Sequence, residues 1–331
     1  MNHKKVLIIT YSADNQSVDK VIEFIEAAGG TAIRFNTDQY PVASRLSTVY
    51  SNNQWQIFYD DGQSTHTLHD VSAVWYWRSH GWGKGMKDMI EQPYLDAGVG
   101  EVRRTLFGML EGLPCFQLER VHNYRRLDSK EEQLRIAWEM GLKVPPTCIS
   151  NDAYRVRAFI EQYQGRVITK MQHAFAIHRE QEELVVYTNV LPESSYSELD
   201  SLQLCPMVFQ QRIDKNLELR VTMVGDRAFA FSIDSQKKEN AQVDWRKERR
   251  SMIMDWQPYA LPAEVEKKLL TFMDVYGVNY RAIDLILTPD DEYYFLETNA
   301  AGEYFWLDAQ CGFGISRQIA EVLMGNVYRR A

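Results

Sequence analysis

The chain contains few cysteines, and none of them has the paired spacing that cysteine chemistry usually requires. Its 331 residues include four cysteines, which lie far apart and form no Cys-x-x-Cys motif: Cys115, Cys148, Cys205 and Cys311. This distribution argues against a zinc knuckle and against the disulfide framework of a small secreted domain. We therefore expect a protein of the reducing cytoplasm.

The sequence also lacks a long apolar run and an excess of positive charge. The apolar residues 6–9 follow Lys4 and Lys5, but the run is too short for a signal peptide or a membrane span and predicts a buried strand. The 37 basic and 45 acidic residues give a formal net charge of −8, which does not favour sequence-independent binding to nucleic acid. We expect neither a membrane nor a nucleic acid as partner.

The length favours several packed units, because 331 residues exceed the size at which a single core usually keeps growing. Changes in the hydrophobic pattern predict three units, with boundaries at residues 1–120, 121–205 and 206–331. The first unit opens with a β-α-β pattern and continues with further segments. Its predicted elements are strands over residues 5–10 and 32–35, a helix through Val18 and Ile25, a hairpin over 54–60 and 64–68, a strand over 71–78 and a helix over 94–110.

The second and third units mix strands and helices in the same way. Ser129 followed by Glu132 is typical of a capping box and predicts the start of a helix. The other predicted elements are strands over residues 167–171 and 207–213, a hairpin over 217–233 turned at Gly225-Asp226, and helices over 263–276 and 315–323.

The most informative segment is a hairpin near the C-terminal end. Apolar runs at residues 282–287 and 293–299 flank a turn rich in Pro and Asp. If Asp290 and Asp291 form a two-residue loop, Asp284 lies opposite Glu297. Since strand side chains alternate between faces, Asn299 shares the face of Glu297.

Two carboxylates and an amide oxygen on one face suit a hard cation. Carboxylates opposed across two strands repel each other unless a cation lies between them. Mg²⁺ takes a few such ligands and completes its shell with waters and phosphates. A solvent-facing hairpin with a polar outer side is the alternative interpretation.

Polar residues at several strand positions suggest a nucleotide. Lys170 ends an apolar strand and would be a point charge for a polyphosphate, or else an exposed strand end. The backbone of residues 207–213 could contact an adenine edge, or the segment could be an ordinary strand. Glu218 and Arg220 share a face, where they could bind ribose and phosphate or form a surface ion pair. Residues 244–250 gather four cations, a run that is usually a solvated face.

Taken in order along the chain, these residues resemble the ATP-grasp superfamily, and the resemblance covers roughly the whole sequence. Four segments are more closely similar to the microviridin-type ligases, which are graspetide peptide macrocyclases. They are Ala73-Val74-Trp75-Tyr76, residues 203–207, Asp244-Trp245-Arg246-Lys247-Glu248 and Gly302-Glu303-Tyr304-Phe305-Trp306-Leu307. The resemblance implies a mixed α/β (α+β) ATP-grasp fold, in which an N-terminal pre-ATP-grasp domain precedes central and C-terminal subdomains that clamp ATP.

The resemblance also implies roles for individual residues, assigned by position in the motif. The phosphates of ATP would contact Lys130 and Lys170, the adenine the backbone of Gln210, Gln211, Arg212 and Ile213, and the ribose Glu218. Mg²⁺ would be held by Asp284, Glu297 and Asn299. The catalytic residues at the γ-phosphate and the acyl phosphate would be Arg220 and Arg246, with Lys247 beside them.

The chain departs from the ATP-grasp pattern in two places. Gln211 stands where a glutamate is often found, and residues 171–179 contain no glycine, although many members cover the phosphates with a glycine-rich loop. The sequence therefore leaves open what covers the γ-phosphate.

An acidic turn predicts a peptide-binding element. Residues 178–183 join two apolar segments, 175–177 and 184–187. In the family the leader segment of a precursor peptide docks near this hairpin, so a leader arginine would be bound by Glu180, Glu182 and Glu183. A solvated hairpin tip is the alternative.

The implied activity is an ATP- and Mg²⁺-dependent ligation within a ribosomally made precursor peptide consisting of leader and core. Asp or Glu side chains would be phosphorylated and then closed into ω-ester rings by Thr or Ser hydroxyls. The alternatives are an ω-amide-forming cyclase that uses Lys, a ligase that acts on amino acids or a peptide C-terminus, and a non-catalytic leader-binding scaffold. Family analogy implies a homodimer.

Overall fold

The first third of the chain forms a parallel sheet covered by helices and a small antiparallel sheet beside it. The computed structural model describes residues 3–14, 16–172, 176–179 and 182–330. The elements of this first part are β1 (Lys5–Thr10), α1 (Gln16–Ala27), β2 (Thr31–Asn36), β3 (Arg45–Ser51), β4 (Gln54–Asp60), β5 (Thr65–Thr67), β6 (Ala73–Tyr76), α2 (Gln92–Gly112) and β7 (Phe116–Leu118).

The parallel sheet has the order β2-β1-β6-β7, and β3-β4-β5 form the antiparallel one. Side chains of β1 alternate between the two faces, as expected for a strand buried on both sides. Val6 and Ile8 join the core that contains α1, whereas Leu7 and Ile9 join the core that contains α2. The predicted β-α-β opening is therefore confirmed.

The middle of the chain adds a four-stranded antiparallel sheet, order β12-β9-β13-β8, and a separate hairpin of β10 and β11. Val156 and Ile160 of α5 pack on this sheet together with a 3-10 helical segment, Glu193–Leu204. The elements are α3 (Val121–Leu127), α4 (Lys130–Glu139), β8 (Thr147–Ser150), α5 (Ala153–Gln162), β9 (Val167–Lys170), β10 (Ala176–Arg179), β11 (Glu182–Val185), β12 (Asn189–Val190) and β13 (Met207–Gln211).

The last third forms a five-stranded antiparallel sheet, order β16-β15-β14-β17-β18. Its elements are β14 (Leu217–Val224), β15 (Arg227–Ile233), α6 (Arg249–Met252), β16 (Gln257–Pro258), α7 (Ala263–Tyr276), β17 (Tyr280–Leu287), β18 (Tyr293–Asn299), α8 (Phe305–Asp308) and α9 (Gly314–Met324). Helix α9 returns to the first sheet, where Ile319 shares a core with Val21 of α1.

Alternation along β14 and β17 places Arg220 and Asp284 on the face opposite the α7 core. The odd-numbered residues, such as Val221 and Ile283, pack against Phe272 and Met273 of α7. The even-numbered residues include Arg220 and Asp284, which therefore lie on the opposite face. The alternation in sequence therefore determines which face of the sheet carries these two charged side chains.

Most predicted elements are found, with differences at their ends. The helix predicted over residues 263–276 coincides with α7 and ends at Gly277, whose φ of 64° suits a glycine after a helix. The strand predicted over 71–78 is shorter, since β6 covers four residues. Strand β3 was not predicted, and it extends the hairpin over residues 54–68 to three strands.

Helix α4 shows one of the two side-chain hydrogen bonds of the capping box that the sequence predicts. The Ser129 hydroxyl accepts the backbone N–H of Glu132 at 3.4 Å, as in a capping box. The Glu132 carboxylate accepts a hydrogen bond from Arg126 at 3.0 Å. Across the described ranges, every helix is too short or too polar to cross a membrane.

The predicted two-residue loop at Asp290-Asp291 is wrong, although the pairing derived from it is correct. The strands end at Leu287 and Tyr293, so five residues connect them. A shift of register between Asp284 and Leu285 leaves one extra residue in β18 and restores the opposition of Asp284 and Glu297. The longer loop and the bulge compensate each other.

Candidate active site

Three charged side chains form a row across adjacent strands. Arg220 of β14 lies opposite Asp284 of β17, and Asp284 lies opposite Glu297 of β18. The Arg220 Nη1 donates to both carboxylate oxygens of Asp284, at 2.7 and 2.9 Å. The Asn299 amide nitrogen donates to Asp284 at 3.3 Å. The predicted ligands Asp284, Glu297 and Asn299 therefore lie together.

Two lysines from other elements complete the cluster around Glu297. The Lys130 Nζ, at the start of α4, lies 2.6 Å from the Glu297 Oε2. The Lys170 Nζ, at the end of β9, lies 4.0 Å from the same oxygen. Helix α4, the central sheet and the C-terminal sheet thus meet at one carboxylate.

Helix α4 is fixed to β18 by a buried amide that the sequence did not reveal. The Gln133 Nε2 donates to the carbonyl oxygen of Thr298 at 3.1 Å, and the Thr298 N–H donates to the Gln133 Oε1 at 3.0 Å. Thr298 lies between Glu297 and Asn299, so this contact positions Lys130 against the two predicted ligands. A glutamine on the apolar face of α4, beside Ile136 and Ala137, is the signal that could have indicated it.

The charged side chains of this cluster shift one another's pKa values. Burial raises the pKa of Glu297, but Lys170 and Lys130 outweigh that effect and lower it to about 2. Burial lowers the pKa of Lys170, opposed by Glu297. Burial also raises the pKa of Asp284, with Arg220 opposing and the like charge of Glu297 adding to the rise. Glu297 is therefore a carboxylate at neutral pH.

Arg246 and Lys247 are neighbours in sequence but form hydrogen bonds with different partners. Arg246 donates to the buried Asp244 through its Nε and Nη2, at 2.8 and 2.6 Å. Its charge contributes to lowering the pKa of Glu297, so it lies within electrostatic range of the cluster. The Lys247 Nζ donates to the Asn189 side chain at 2.6 Å.

The segment predicted to contact adenine is partly engaged by the protein itself. The Gln211 N–H donates to the Pro146 carbonyl at 2.9 Å, and the Arg212 N–H donates to Arg166 at 2.8 Å. The buried Gln210 side chain donates to Thr147 at 2.9 Å. Within the described part of the chain, the Ile213 N–H has no such partner.

Glu218 has a lysine partner that was not predicted. The Lys215 Nζ lies 2.7 Å from the Glu218 Oε1, and both side chains are largely buried. Burial raises the pKa of Glu218, whereas Lys215 opposes the rise. Their spacing of three residues is the signal that could have indicated the pair.

The Gly-Glu segment after β18 contacts Arg220 of the site and Arg78 from the first part of the chain. A Cβ at Gly302 would lie 2.3 Å from the Ala282 Cβ and 2.7 Å from the Arg220 Nη2, so only glycine fits. The Arg220 Nη2 donates to the Glu303 carbonyl at 3.2 Å, and the Glu303 carboxylate pairs with Arg78 at 2.5 Å. Arg78, which follows β6, was not assigned from the sequence.

The donor set fits Mg²⁺ bound together with phosphates. In the described residues no group of three or more His, Cys, Asp or Glu side chains forms a closed metal cage. Asp284, Glu297 and Asn299 instead supply hard oxygen donors from one side, the arrangement by which Mg²⁺ is usually bound beside a nucleotide. The surrounding cations match the negative charge of a triphosphate.

The predicted leader-binding hairpin is present as a backbone pairing. In the antiparallel hairpin of β10 and β11, Arg179 pairs with Glu182 and His178 with Glu183. Glu182 and Glu183 therefore lie in a strand and not in the turn. Glu180 lies outside the described residues.

These features define an ATP-grasp fold, in which a nucleotide site lies between two antiparallel sheets that follow an α/β domain. The family model of the MvdD pre-ATP-grasp domain matches residues 5–125. The structure is similar to a Chryseobacterium gregarium RiPP-associated ATP-grasp ligase solved with ADP and a leader and core peptide, with 46% identity and a TM-score of 0.97 over 99% of this chain and 98% of that one.

Two macrocyclases of Microcystis aeruginosa MRC are also similar. MdnC, solved with the precursor peptide MdnA, is 38% identical, with a TM-score of 0.88 over 98% of this chain and 100% of that one. MdnB is 30% identical, with a TM-score of 0.79 over 97% and 99% of the two chains. No curated protein sequence shows a significant match. The chain belongs to the ATP-grasp ligases that mature ribosomally made peptides, as the resemblance predicted.

Proposed function

We propose that the protein phosphorylates Asp or Glu side chains of a ribosomal precursor peptide and closes ω-ester macrocycles with Thr or Ser hydroxyls. The observation that carries the proposal is the convergence of Lys130 and Lys170 with Arg220, Asp284 and Glu297 at one place in the fold. Such a cluster matches the charge of Mg-ATP. The similar ligase that was solved with ADP and peptide supports the assignment.

A carboxylate needs activation because oxide is too poor a leaving group at neutral pH. An oxygen of the substrate carboxylate attacks the γ-phosphorus of ATP, the bond to the bridging oxygen breaks, and ADP leaves. The hydroxyl oxygen of Thr or Ser then attacks the acyl carbon and loses its proton, and phosphate departs. The products are an ester, ADP and phosphate.

The protein's own residues would stabilise the charge that develops in both steps. Arg220 is held beside Asp284 by its Nη1 and beside the Glu303 carbonyl by its Nη2, so its charge is fixed in place at the site. Lys130, Lys170 and Arg246 would add positive charge, and one preorganised donor can contribute about 3 kcal/mol. Mg²⁺ held by Asp284, Glu297 and Asn299 would neutralise phosphate charge. The adenine would contact the backbone of residues 210–213.

Product mass tests the proposal. The protein is incubated with ATP, Mg²⁺ and a short peptide encoded beside its gene that carries Thr and acidic residues. Each ring removes one water from the peptide, whereas ligation of an amino acid adds a residue mass. Mild alkali opens an ester but leaves an amide intact, which separates the Thr and Ser products from a Lys product. Precursor of unchanged mass, without ADP release, would contradict the proposal.

We further propose that Glu180, Glu182 and Glu183 bind an arginine of the leader segment. Reversing their charge should weaken precursor binding, and changing the leader arginine to Glu should partly restore it. An exposed pair contributes only about 0.2–1 kcal/mol, so fluorescence anisotropy at low salt is the suitable measurement. Equal affinity across the whole cycle would place the leader elsewhere. We also propose that the protein is a cytoplasmic homodimer whose three units span residues 1–120, 121–205 and 206–331.

A further inference from the structure

A cavity with an arginine in its lining opens beside the candidate active site. Its volume is about 470 Å³, and it is lined by residues 76–80 with Tyr124 and Ala301. Four of the lining residues directly follow β6, at the carboxyl end of the parallel sheet. The chain passes from β1 to β2 on one side and returns to β6 on the other side of β1, which makes a topological switch point. Open α/β sheets bind ligands in the crevice at such points.

The rim of this cavity is held by specific contacts. The Thr37 hydroxyl donates to the His80 carbonyl at 2.8 Å, and the ring of Tyr11 meets the ring of His80 edge-on at 5.0 Å. The Tyr124 hydroxyl donates to the Tyr76 carbonyl at 2.7 Å. The cavity therefore has a defined shape before any ligand binds.

The polar groups of the cavity suit a carboxylate. Arg78 lines it, with 22% of its side chain exposed, and its Nη2 lies 2.5 Å from the Glu303 carboxylate. Trp77 also lines it and supplies an apolar wall, since its side chain belongs to the core that contains α1. A guanidinium fork binds carboxylates in a bidentate manner. The contact with Glu303 shows that Arg78 is placed to bind a carboxylate.

The cavity adjoins the proposed reaction centre through one short segment. Ala301 lines the cavity, and the carbonyl of Glu303 accepts the Nη2 of Arg220 at 3.2 Å. Arg220 in turn holds Asp284. A peptide side chain bound at Arg78 would therefore place its neighbours close to the row of charged residues.

We propose that this cavity binds an acidic side chain of the substrate peptide's core, with Arg78 as the partner of its carboxylate. Glu303 is an internal carboxylate that occupies Arg78 until the peptide side chain displaces it. This inference rests on the proposed function, because it assigns a subsite for the acidic core of the same substrate. Arg78 is a specificity residue, and Glu303 is its competitor.

Binding of a small acidic peptide tests the subsite without any ring formation. Acetyl-Glu-Glu-amide is titrated into the protein with ADP and Mg²⁺ and followed by calorimetry, with acetyl-Gln-Gln-amide as the neutral control. Arg78→Gln should weaken binding of the acidic peptide at least tenfold, and Arg78→Lys, which lacks the planar fork, should lie between. Glu303→Gln should strengthen binding severalfold, since it removes the competitor.

A purely structural ion pair gives a different pattern. It predicts that Arg78→Gln and Glu303→Gln lower the melting temperature alike and affect binding in the same direction, or not at all; either result would overturn the subsite. Arg135→Gln is the matched control, because it breaks an exposed Arg–Glu pair of 2.6 Å on α4. It should leave binding unchanged.

The same variants, assayed with the full precursor, separate failure of the subsite from failure of the proposed function. If rings form and Arg78→Gln leaves both KM and dipeptide binding unchanged, the subsite is refuted and the macrocyclase assignment stands. If no ring forms but dipeptide binding follows the predicted order of variants, the carboxylate site stands and the macrocyclase assignment fails.

Discussion

At the scale of single residues, Glu297 is the side chain on which the candidate site depends most. Lys130 and Lys170 both lie within 4.0 Å of its Oε2, and it faces Asp284 across the strands. Glu297→Gln keeps the size of the side chain but removes the charge. We expect ADP production to fall at least 100-fold, because the substitution removes a proposed metal ligand and the charged partner of two lysines.

A coupled ADP assay at saturating Mg²⁺, with circular dichroism to check folding, measures this effect. Glu139→Gln is the control, since Glu139 forms an exposed pair with Arg135 on the outer side of α4. Near-normal turnover of Glu297→Gln would show that Glu297 is not a ligand of Mg-ATP.

A second residue-scale prediction concerns the close approach at Gly302. Gly302→Ala would place a Cβ 2.3 Å from the Ala282 Cβ of β17 and 2.7 Å from the Arg220 Nη2. We expect a loss of about 1–3 kcal/mol in the free energy of unfolding, which is typical of overpacking, and a loss of activity through Arg220. Thermal denaturation measures the first effect.

Gly108 provides the matched control for that substitution. It lies in α2, and a Cβ there meets no atom within 4 Å. Gly108→Ala should stabilise the protein by about 0.4–1 kcal/mol, because alanine loses less backbone freedom on folding. If both substitutions had the same effect on stability, the close packing at Gly302 would not be a constraint.

At the scale of elements, Gln133 joins α4 to β18. It exchanges hydrogen bonds with both backbone groups of Thr298, in the interior of the protein. Gln133→Leu keeps the volume but leaves the Thr298 N–H and C=O buried without their partner, which costs about 1–3 kcal/mol for each group. We expect a lower melting temperature and a higher KM for ATP, since Lys130 is then less well positioned.

The comparison variant for this contact lies on the same helix. Arg135→Gln changes a solvent-exposed residue of α4 and should alter neither the melting temperature nor KM. A raised KM for Gln133→Leu with unchanged kcat would indicate that Gln133 acts through ATP binding. Unchanged stability would mean that α4 is held by its apolar residues alone.

The elements also show what could be predicted from the sequence and what could not. The prediction of α7 is correct to the residue, and the helix ends at Gly277, as a glycine after an apolar face predicts. The hairpin of β17 and β18 was paired correctly from a wrong loop, because a bulge offset the longer connection. The residues around this bulge did not reveal it, because the position of a bulge depends on how the strand pairs with its neighbours in the sheet.

At the scale of the whole molecule, the sequence predicted which residue types would meet but not all of their partners. Lys130, Lys170 and Glu297 come from three separate elements and converge at one place in the fold. The contact of Lys247 with Asn189 and that of Lys215 with Glu218 were not predicted. A long side chain reaches several positions, so its partner is decided by the packing of the elements and not by spacing along the chain.

The final prediction concerns how nucleotide binding joins the sheets. Lys170 belongs to the central sheet, and its nearest carboxylate, Glu297, belongs to the C-terminal sheet. A nucleotide held by both should stabilise the folded protein, by about 2.7 kcal/mol at a concentration 100 times its Kd. We therefore expect ADP with Mg²⁺ to raise the melting temperature by about 4 °C, because the entropy of unfolding of a protein of 331 residues is about 0.7 kcal/mol/K.

Lys170→Ala should abolish most of this rise, because the phosphates lose a cation held on a rigid strand. Lys237→Ala is the control, since its side chain is 76% exposed, and it should keep the full rise. Lys247→Ala decides the remaining assignment: a retained rise together with normal ring formation would remove Lys247 from the catalytic residues, whereas a lost rise would show that it leaves Asn189 to reach the nucleotide. Chelation of Mg²⁺ should reduce the rise in the unaltered protein. If Lys170→Ala responded to ADP as fully as the unaltered protein does, the nucleotide would have to bind away from the end of β9.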